Sequence, residues 1–330
     1  MSRSLRERLL GYLLAYATPL IFLAVFIYFG TQAPAFVSPE SIGNIVKQAS
    51  FVGIAAVGII FVLLTAGIDL SVGSVMYLAP LIAGFAMREF DLGVGSALAI
   101  AIVSGMLLGA LNAFFIVRLR IIPFIVTLAT LFLFRGAGTF MTSSRQLDFP
   151  REVLNFGYFS LFGVPLPVII FALVAGAAHV VLTRTQFGRQ IYAVGNDPDA
   201  ARKAGVNVDW IIFRVYVISS TCAALAGFVL IAQIGRLDQA FGEGREFDVI
   251  AAAVLGGTSL FGGIGSALSA VIGATLIQTV KAGLVFTGVN LYLQPIVLGL
   301  IIFIAVLIDS VRTRFRERIG QRMIRVEEVL

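Results

Sequence analysis

Side chains able to make or break covalent bonds are scarce along this 330-residue chain. The single histidine, His179, lies inside an apolar run with no second ligand at metal-binding spacing, so a metal site is not expected. The single cysteine, Cys222, cannot form an internal disulfide and also lies in an apolar run, where a small buried side chain is the expected role. No Ser/His/Asp set suggests nucleophilic catalysis. The Gly-x4-Gly-Lys-Ser/Thr phosphate loop is absent, because none of Lys47, Lys203 and Lys281 follows a glycine. No catalytic residue, metal or cofactor is assigned to the chain.

Three polar segments remain. Residues 188–210 read GRQIYAVGNDPDAARKAGVNVDW. Asn196 or Asp197 can cap a short helix with Pro198 in its first turn, Asp199 adds charge near the positive end, Ala200, Ala201, Arg202 and Lys203 propagate it, and Gly205 stops it. Such a helix suits docking into a groove on another protein, and it equally suits a connector held by lipid headgroups. The second segment, Thr65 to Ser74, contains Asp69 and Ser71 between two apolar runs. Asp69 is placed to cap the helix that follows, near one face of the membrane rather than at its midplane. The third, GGTSLFGGIGS at 256–266, carries paired glycines that break a helix and expose backbone to a cavity, or simply allow close packing.

These segments must be positioned by something other than a soluble core. Apolar residues make up 59% of the chain and charged residues 13%, about half the usual charged fraction. Apolar runs fall at 9–30, 44–66, 70–87, 93–117, 121–141, 165–183, 211–231, 249–262, 266–286 and 291–309. They predict an all-α polytopic bundle of about ten transmembrane helices, read as one transmembrane domain over 1–330. The eighth run is too short to span alone and is expected to be broken or partly re-entrant. The first run is longer than a signal-peptide core, and Pro34 interrupts the Ala33-Pro34-Ala35 pseudo cleavage site, so it is read as a crossing.

The charges orient the bundle. Threading the runs alternately with the N-terminus inside puts fifteen of the 24 cations on the cytoplasmic side: Arg3, Arg6, Arg8, Arg118, Arg120, Arg184, Arg189, Arg202, Lys203 and six arginines between 312 and 325. Both termini are expected to be cytoplasmic, with a cytoplasmic loop at about 184–210. The opposite side receives Arg88, Arg145, Arg151, Arg236 and Arg245, with the acids Glu40, Glu89, Asp91, Asp148, Glu152, Asp238, Glu243, Glu246 and Asp248. Because the acids sit in loops or at helix ends, proton-driven symport is disfavoured. Basic residues scattered between apolar runs offer no face for nucleic acid, despite a net charge of +6. Lys47, Arg135, Arg214 and Lys281 fall within or at the ends of helices, and Arg135 is the least able to snorkel to an interface. Helices 2–5 and 7–10 would have opposite orientations, as in inverted-repeat transporters.

GIDLSVGS at 67–74, Phe134-Arg135-Gly136, GNDPDAARKAGVNV at 195–208 and AAAVLGGTSLFGGIGS at 251–266 occur in one order over most of the chain. In these the sequence resembles the transmembrane permeases of bacterial ABC importers for monosaccharides of the ribose, xylose and galactose type. The resemblance implies a multi-pass inner-membrane subunit that pairs with a second permease and receives sugar from a periplasmic binding protein. ATP would be hydrolysed on a partner ATPase subunit. Asn196, Asp199, Ala200, Ala201 and Gly205 match the coupling motif that docks on that ATPase. Asp199 stands where the motif has Glu, Ala66 where Gly usually precedes GIDLS, and Lys281-Ala282-Gly283-Leu284 where an Asn-rich segment is common.

An uncharged sugar requires transient hydrogen bonds and no fixed ion site. Asp69, Ser71, Asn112, Thr127, Thr130, Arg135 and Gln278 are the candidate path-lining residues. The rival readings are an ABC permease for nucleosides, branched-chain amino acids or a sugar-like signal, an ion-coupled secondary transporter, and a membrane-embedded enzyme, for which no catalytic cluster is found.

Overall fold

A computed structural model describes residues 17–297, 299–301, 303–304 and 307. The basic residues 3–8 and 312–325, and parts of the first and last apolar runs, lie outside the described residues. The chain forms two compact units, Met1–Ser38 with Thr279–Leu330, and Pro39–Gln278.

In the first unit, α1 (Ala17–Gln32) leads into a single 3-10 turn at Pro34–Val37. Phe36, fully buried, packs its ring 5.4 Å from Phe26, 5.8 Å from Phe29 and 5.9 Å from Phe286. Gly283 leaves the space that the Phe29 ring fills.

In the second unit the helices are α2 (Pro39–Leu64), α3 (Val72–Phe90), α4 (Val94–Arg118), α5 (Pro123–Thr142), α6 (Arg151–Tyr158), α7 (Leu166–Arg184), α8 (Gln186–Asn196), α9 (Pro198–Lys203), α10 (Val208–Ile234) and α11 (Arg245–Leu255). A further helix, α12 (Ala267–Phe286), begins in this unit. The strands are two-residue pairs. β1 (Leu147–Asp148) runs antiparallel to β4 (Arg236–Leu237), pinning the loop after α5 to the end of α10, and β2 (Ser160–Leu161) pairs with β3 (Val164–Pro165). Helices α2, α4, α5, α7, α10 and α12 are long and apolar enough to cross a membrane. The architecture is that of an all-α polytopic membrane protein.

The centre is α10, which packs on α2, α3 and α4. On α4, Gly105 and Gly109 fall one turn apart on one face. A Cβ at Gly105 would meet Ala224 and the Ser220 carbonyl, and one at Gly109 the Tyr216 carbonyl. Small residues at this spacing let two backbones approach, which replaces the hydrophobic drive that lipid does not supply.

The eighth apolar run, drawn at 249–262, is helical only to Leu255. At 11 residues, α11 is about 16 Å long, roughly half a hydrocarbon core. Helix ends around the 184–210 connection are each capped by a side chain. Thr185 accepts from the Gly188 amide at 3.1 Å, Asp197 from the Asp199 and Ala200 amides at 2.9 Å each, and Asn207 from the Trp210 amide at 3.0 Å. Of the two cap candidates for α9, the cap is Asp197, and Gly205 follows the helix with a left-handed φ of 83°.

Candidate functional site

Three segments that are far apart in sequence meet at one end of the second unit. The α2–α3 turn, the α11–α12 turn and the end of α8 are joined by backbone. The Gly263 amide donates to the Leu64 carbonyl at 3.0 Å. A Cβ on Gly195 would collide with the same carbonyl, and one on Gly263 with the Asn196 side-chain oxygen. The Tyr192 hydroxyl donates to the Gly265 carbonyl at 2.8 Å, and burial pushes its phenol above the ordinary range, so it stays a donor. The helix α9, with Asp199, Ala200 and Ala201, is one residue from this junction. Asp199 is exposed and pairs with Arg202 at 3.3 Å, while Ala201 is buried.

Asp69 lies above that junction and has no solvent exposure. Its Oδ1 accepts from the Ser71 amide at 3.0 Å and the Ser71 hydroxyl at 2.6 Å, and its Oδ2 accepts from the Ser219 hydroxyl of α10 at 2.9 Å. Asn112 of α4 donates through Nδ2 to the Ser71 hydroxyl at 2.8 Å. The neighbouring Ile68 carbonyl accepts from Thr127 at 3.2 Å and Tyr216 at 3.3 Å. A buried carboxylate without a cation is tolerated when its lone pairs are occupied in this way.

Asp69 caps the start of α3 as expected, by accepting the amide of Ser71, the residue that precedes the helix, and its second oxygen ties the turn to α10. Ser219 is 11 residues into α10, a helix of about 40 Å, so Asp69 meets it about 16 Å from its start.

Among the path candidates, Asp69, Ser71, Asn112 and Thr127 are brought together. Thr130 is buried but its hydroxyl donates back to the Val126 carbonyl of its own helix at 3.0 Å. Gln278 is buried at a separate place, with its Nε2 unpartnered.

Arg135 belongs to a second polar cluster. Its Nη1 donates to the Gln239 carbonyl at 2.9 Å and the Phe241 carbonyl at 2.8 Å, and its guanidinium lies 5.1 Å from the Tyr77 ring centre. Carbonyls and a ring face thus hold the cation that could not snorkel. Beside it, Glu246 in the first turn of α11 is 6% exposed. Asp69, in the turn before α3, and Glu246, in the first turn of α11, thus lie in a turn and at a helix end as the sequence suggested, but both are buried. Lys47 instead stacks on Tyr158 at 4.6 Å, and Arg214 on Trp210 at 4.6 Å.

Sequence reasoning did not single out Ser219, Tyr216, Tyr77, Tyr192 or Glu246. The run Ser219-Ser220-Thr221 in mid-helix was the available signal for the first, since hydroxyls there must find partners inside a bundle. Among the described residues no three His, Cys, Asp or Glu side chains cluster as a metal site would require.

The model of the family described as "Branched-chain amino acid transport system / permease component" matches residues 41–306. The ribose import permease protein of Escherichia coli (strain K12) is 37% identical over 285 residues, covering 85% of this chain and 88% of its own. The D-allose transport system permease protein of the same strain is 36% identical over 300 residues (89% and 91%). The fructose import permease protein of Rhizobium meliloti is 35% identical over 310 residues (89% and 85%). No solved structure matches the chain.

Proposed function

The chain belongs to the family of branched-chain amino acid transport system permease components, and from that premise we propose that it is the membrane subunit of an ATP-driven monosaccharide importer. It is a permease and not an enzyme. The observation that carries the sugar reading is the identity of more than a third, over most of both chains, to importers named for ribose, allose and fructose. The subunit is read as about ten helices in one permease domain of the bacterial inner membrane, with both termini cytoplasmic. It works with a second permease subunit, a periplasmic sugar-binding protein and a cytoplasmic ATPase that hydrolyses the ATP.

Asn196, Asp199, Ala200, Ala201 and Gly205 are the coupling residues. The exposed α9 receives movement from the ATPase, and the contacts of Gly195, Asn196 and Tyr192 carry it to the turns at 64–71 and 256–266. Those turns bound the path on which Asp69, Ser71, Asn112 and Thr127 stand. This gives the short helix a mechanical role that a headgroup-bound connector lacks.

The test is uptake by the reconstituted importer. Labelled D-ribose, D-allose or D-fructose should enter only with ATP, the ATPase and the loaded binding protein present, while L-leucine, the family description's own alternative, should not. Gly205→Val and Gly195→Ala should uncouple ATP hydrolysis from uptake. Uptake by the permease alone under an ion gradient, or transport of leucine and no sugar, would refute the proposal.

A further inference from the structure

Beside Arg135 lie two buried oxygens with nothing to bind. Glu246 Oε2 has no hydrogen-bond partner, and it presses on the α carbon region of Gly73, where an added Cβ would overlap it. The Tyr77 hydroxyl, one turn further along α3, is fully buried and also unpartnered. Buried polar atoms are almost always satisfied, so two idle ones beside one cation call for an explanation. Packing does not supply it, since a phenylalanine would fill the same space as Tyr77 without an idle hydroxyl.

Arg135 could have paired with Glu246, yet among the described residues they form no ion pair. The guanidinium is held off by the Gln239 and Phe241 carbonyls, through Nη1 alone of a group with five N–H donors. Its Nη2 points to the Gly242 turn, 3.7 Å from where a Cβ would stand. The Glu246 carboxylate is turned back toward the Gly244 and Glu246 amides at the start of α11. A helix start inside a bundle favours an acceptor there, and membrane transporters place solute sites at such interrupted helices.

We propose that Glu246, Tyr77 and Arg135 form a subsite for adjacent hydroxyl groups of a neutral polyhydroxylated solute, at the inner start of α11. This rests on the sugar-importer reading and locates a binding step within it. The carboxylate accepts from one or two solute hydroxyls, the tyrosine hydroxyl donates or accepts, and Arg135 donates to a solute oxygen. A solute without hydroxyls leaves these groups unpaired and is rejected. Because Tyr77 has no exposure, the subsite is closed in this conformation, as a site reached by alternating access is in one of its states. The site is distinct from the Asp69 network, in which both carboxylate oxygens are already occupied.

The experiment is uptake at saturating concentration by the complete importer, for D-ribose, D-allose and D-fructose and for single-position deoxy analogues of whichever sugar is carried. Wild type should carry one deoxy analogue at least about tenfold more slowly than its parent, the effect of one lost hydrogen bond with a buried partner left idle. Glu246→Gln and Tyr77→Phe should slow the parent sugar by about tenfold and bring that analogue to within about threefold of it. Variants that slow parent and analogues in equal proportion, or leave all rates unchanged, would overturn the subsite alone. Wild type that carries no sugar overturns the importer reading and the subsite with it. Tyr77→Phe removes a single oxygen, so a variant that fails to fold is guarded against, and wild-type indifference to every deoxy position overturns the subsite without any variant.

Discussion

Two carboxylates are buried inside the second unit, and they are treated in opposite ways. Asp69 accepts three hydrogen bonds from Ser71 and Ser219, and the donor Asn112 stands behind Ser71. Glu246 keeps an oxygen without a partner while a guanidinium nearby is tied to carbonyls. The first arrangement holds the α2–α3 turn against α10 with both Asp69 oxygens partnered, although Asn112 Oδ1 at its edge is unpartnered. The second is incomplete, and incompleteness in a buried polar group is what a site awaiting a ligand displays.

The largest contrast is expected from removing each charge with a side chain of similar bulk. Asp69→Leu strands the Ser71 amide and the Ser71 and Ser219 hydroxyls, at about 1 to 3 kcal/mol for each buried donor, so a loss of about 3 kcal/mol or more is expected. Folded yield in membranes and the apparent melting temperature in detergent both should fall sharply. Glu246→Leu takes away one oxygen that bonds nothing and one turned toward the amides at the start of α11, a smaller loss than at Asp69, so its stability should fall by about 1 kcal/mol. Equal destabilisation by the two would abolish the distinction.

Ser219→Ala comes next. It deprives Asp69 Oδ2 of the partner seen at 2.9 Å and leaves a buried carboxylate oxygen in the state Glu246 already occupies. A hydrogen bond to a charged group contributes about 1.5 to 3 kcal/mol, so a loss of about 2 kcal/mol is expected. A melting temperature indistinguishable from wild type would mean that Asp69 is not held as the geometry indicates.

How much of this was legible in the residues differs between the two clusters. The GIDLSVGS turn was visible because glycines, a carboxylate and serines interrupt two apolar runs, and local chemistry of that kind is written in adjacent positions. Its tie to α10 was not, because the Asp69–Ser219 contact joins residues 150 apart. Helix positions followed closely from apolar runs, so that 93–117 became Val94–Arg118 and 266–286 became Ala267–Phe286. The burial of Glu246 was hidden for a related reason. Three acids between 243 and 248 look like a solvated loop, and only the fold of α11 into the unit buries one of them. The short helix α9 was readable down to its stop at Gly205, since caps and stops are local, whereas its meeting with both turns was not.

The same turn offers a smaller test with the opposite sign. Ala66 has a left-handed φ of 59°, at the position where the resembling permeases usually have glycine. A Cβ in that conformation costs about 1 to 2 kcal/mol, so Ala66→Gly should stabilise the protein by about 1 kcal/mol after the added chain entropy of glycine. The gain should appear as a raised melting temperature with ATP-driven uptake intact. No gain would place the strain elsewhere and weaken the view of this turn as a fixed structural element.

The smallest stability change is expected at Tyr77, and for that reason it discriminates best. Tyr77→Phe removes a hydroxyl that has no partner and keeps the ring on which Arg135 rests. Losing an unsatisfied buried oxygen is neutral or slightly favourable, within about 0.5 kcal/mol, so the melting temperature should hold or rise a little. Uptake should fall nonetheless. A change that leaves folding untouched while transport drops points to a group that acts on the solute, and a fall in both together would return Tyr77 to the ordinary packing of α3 against α5.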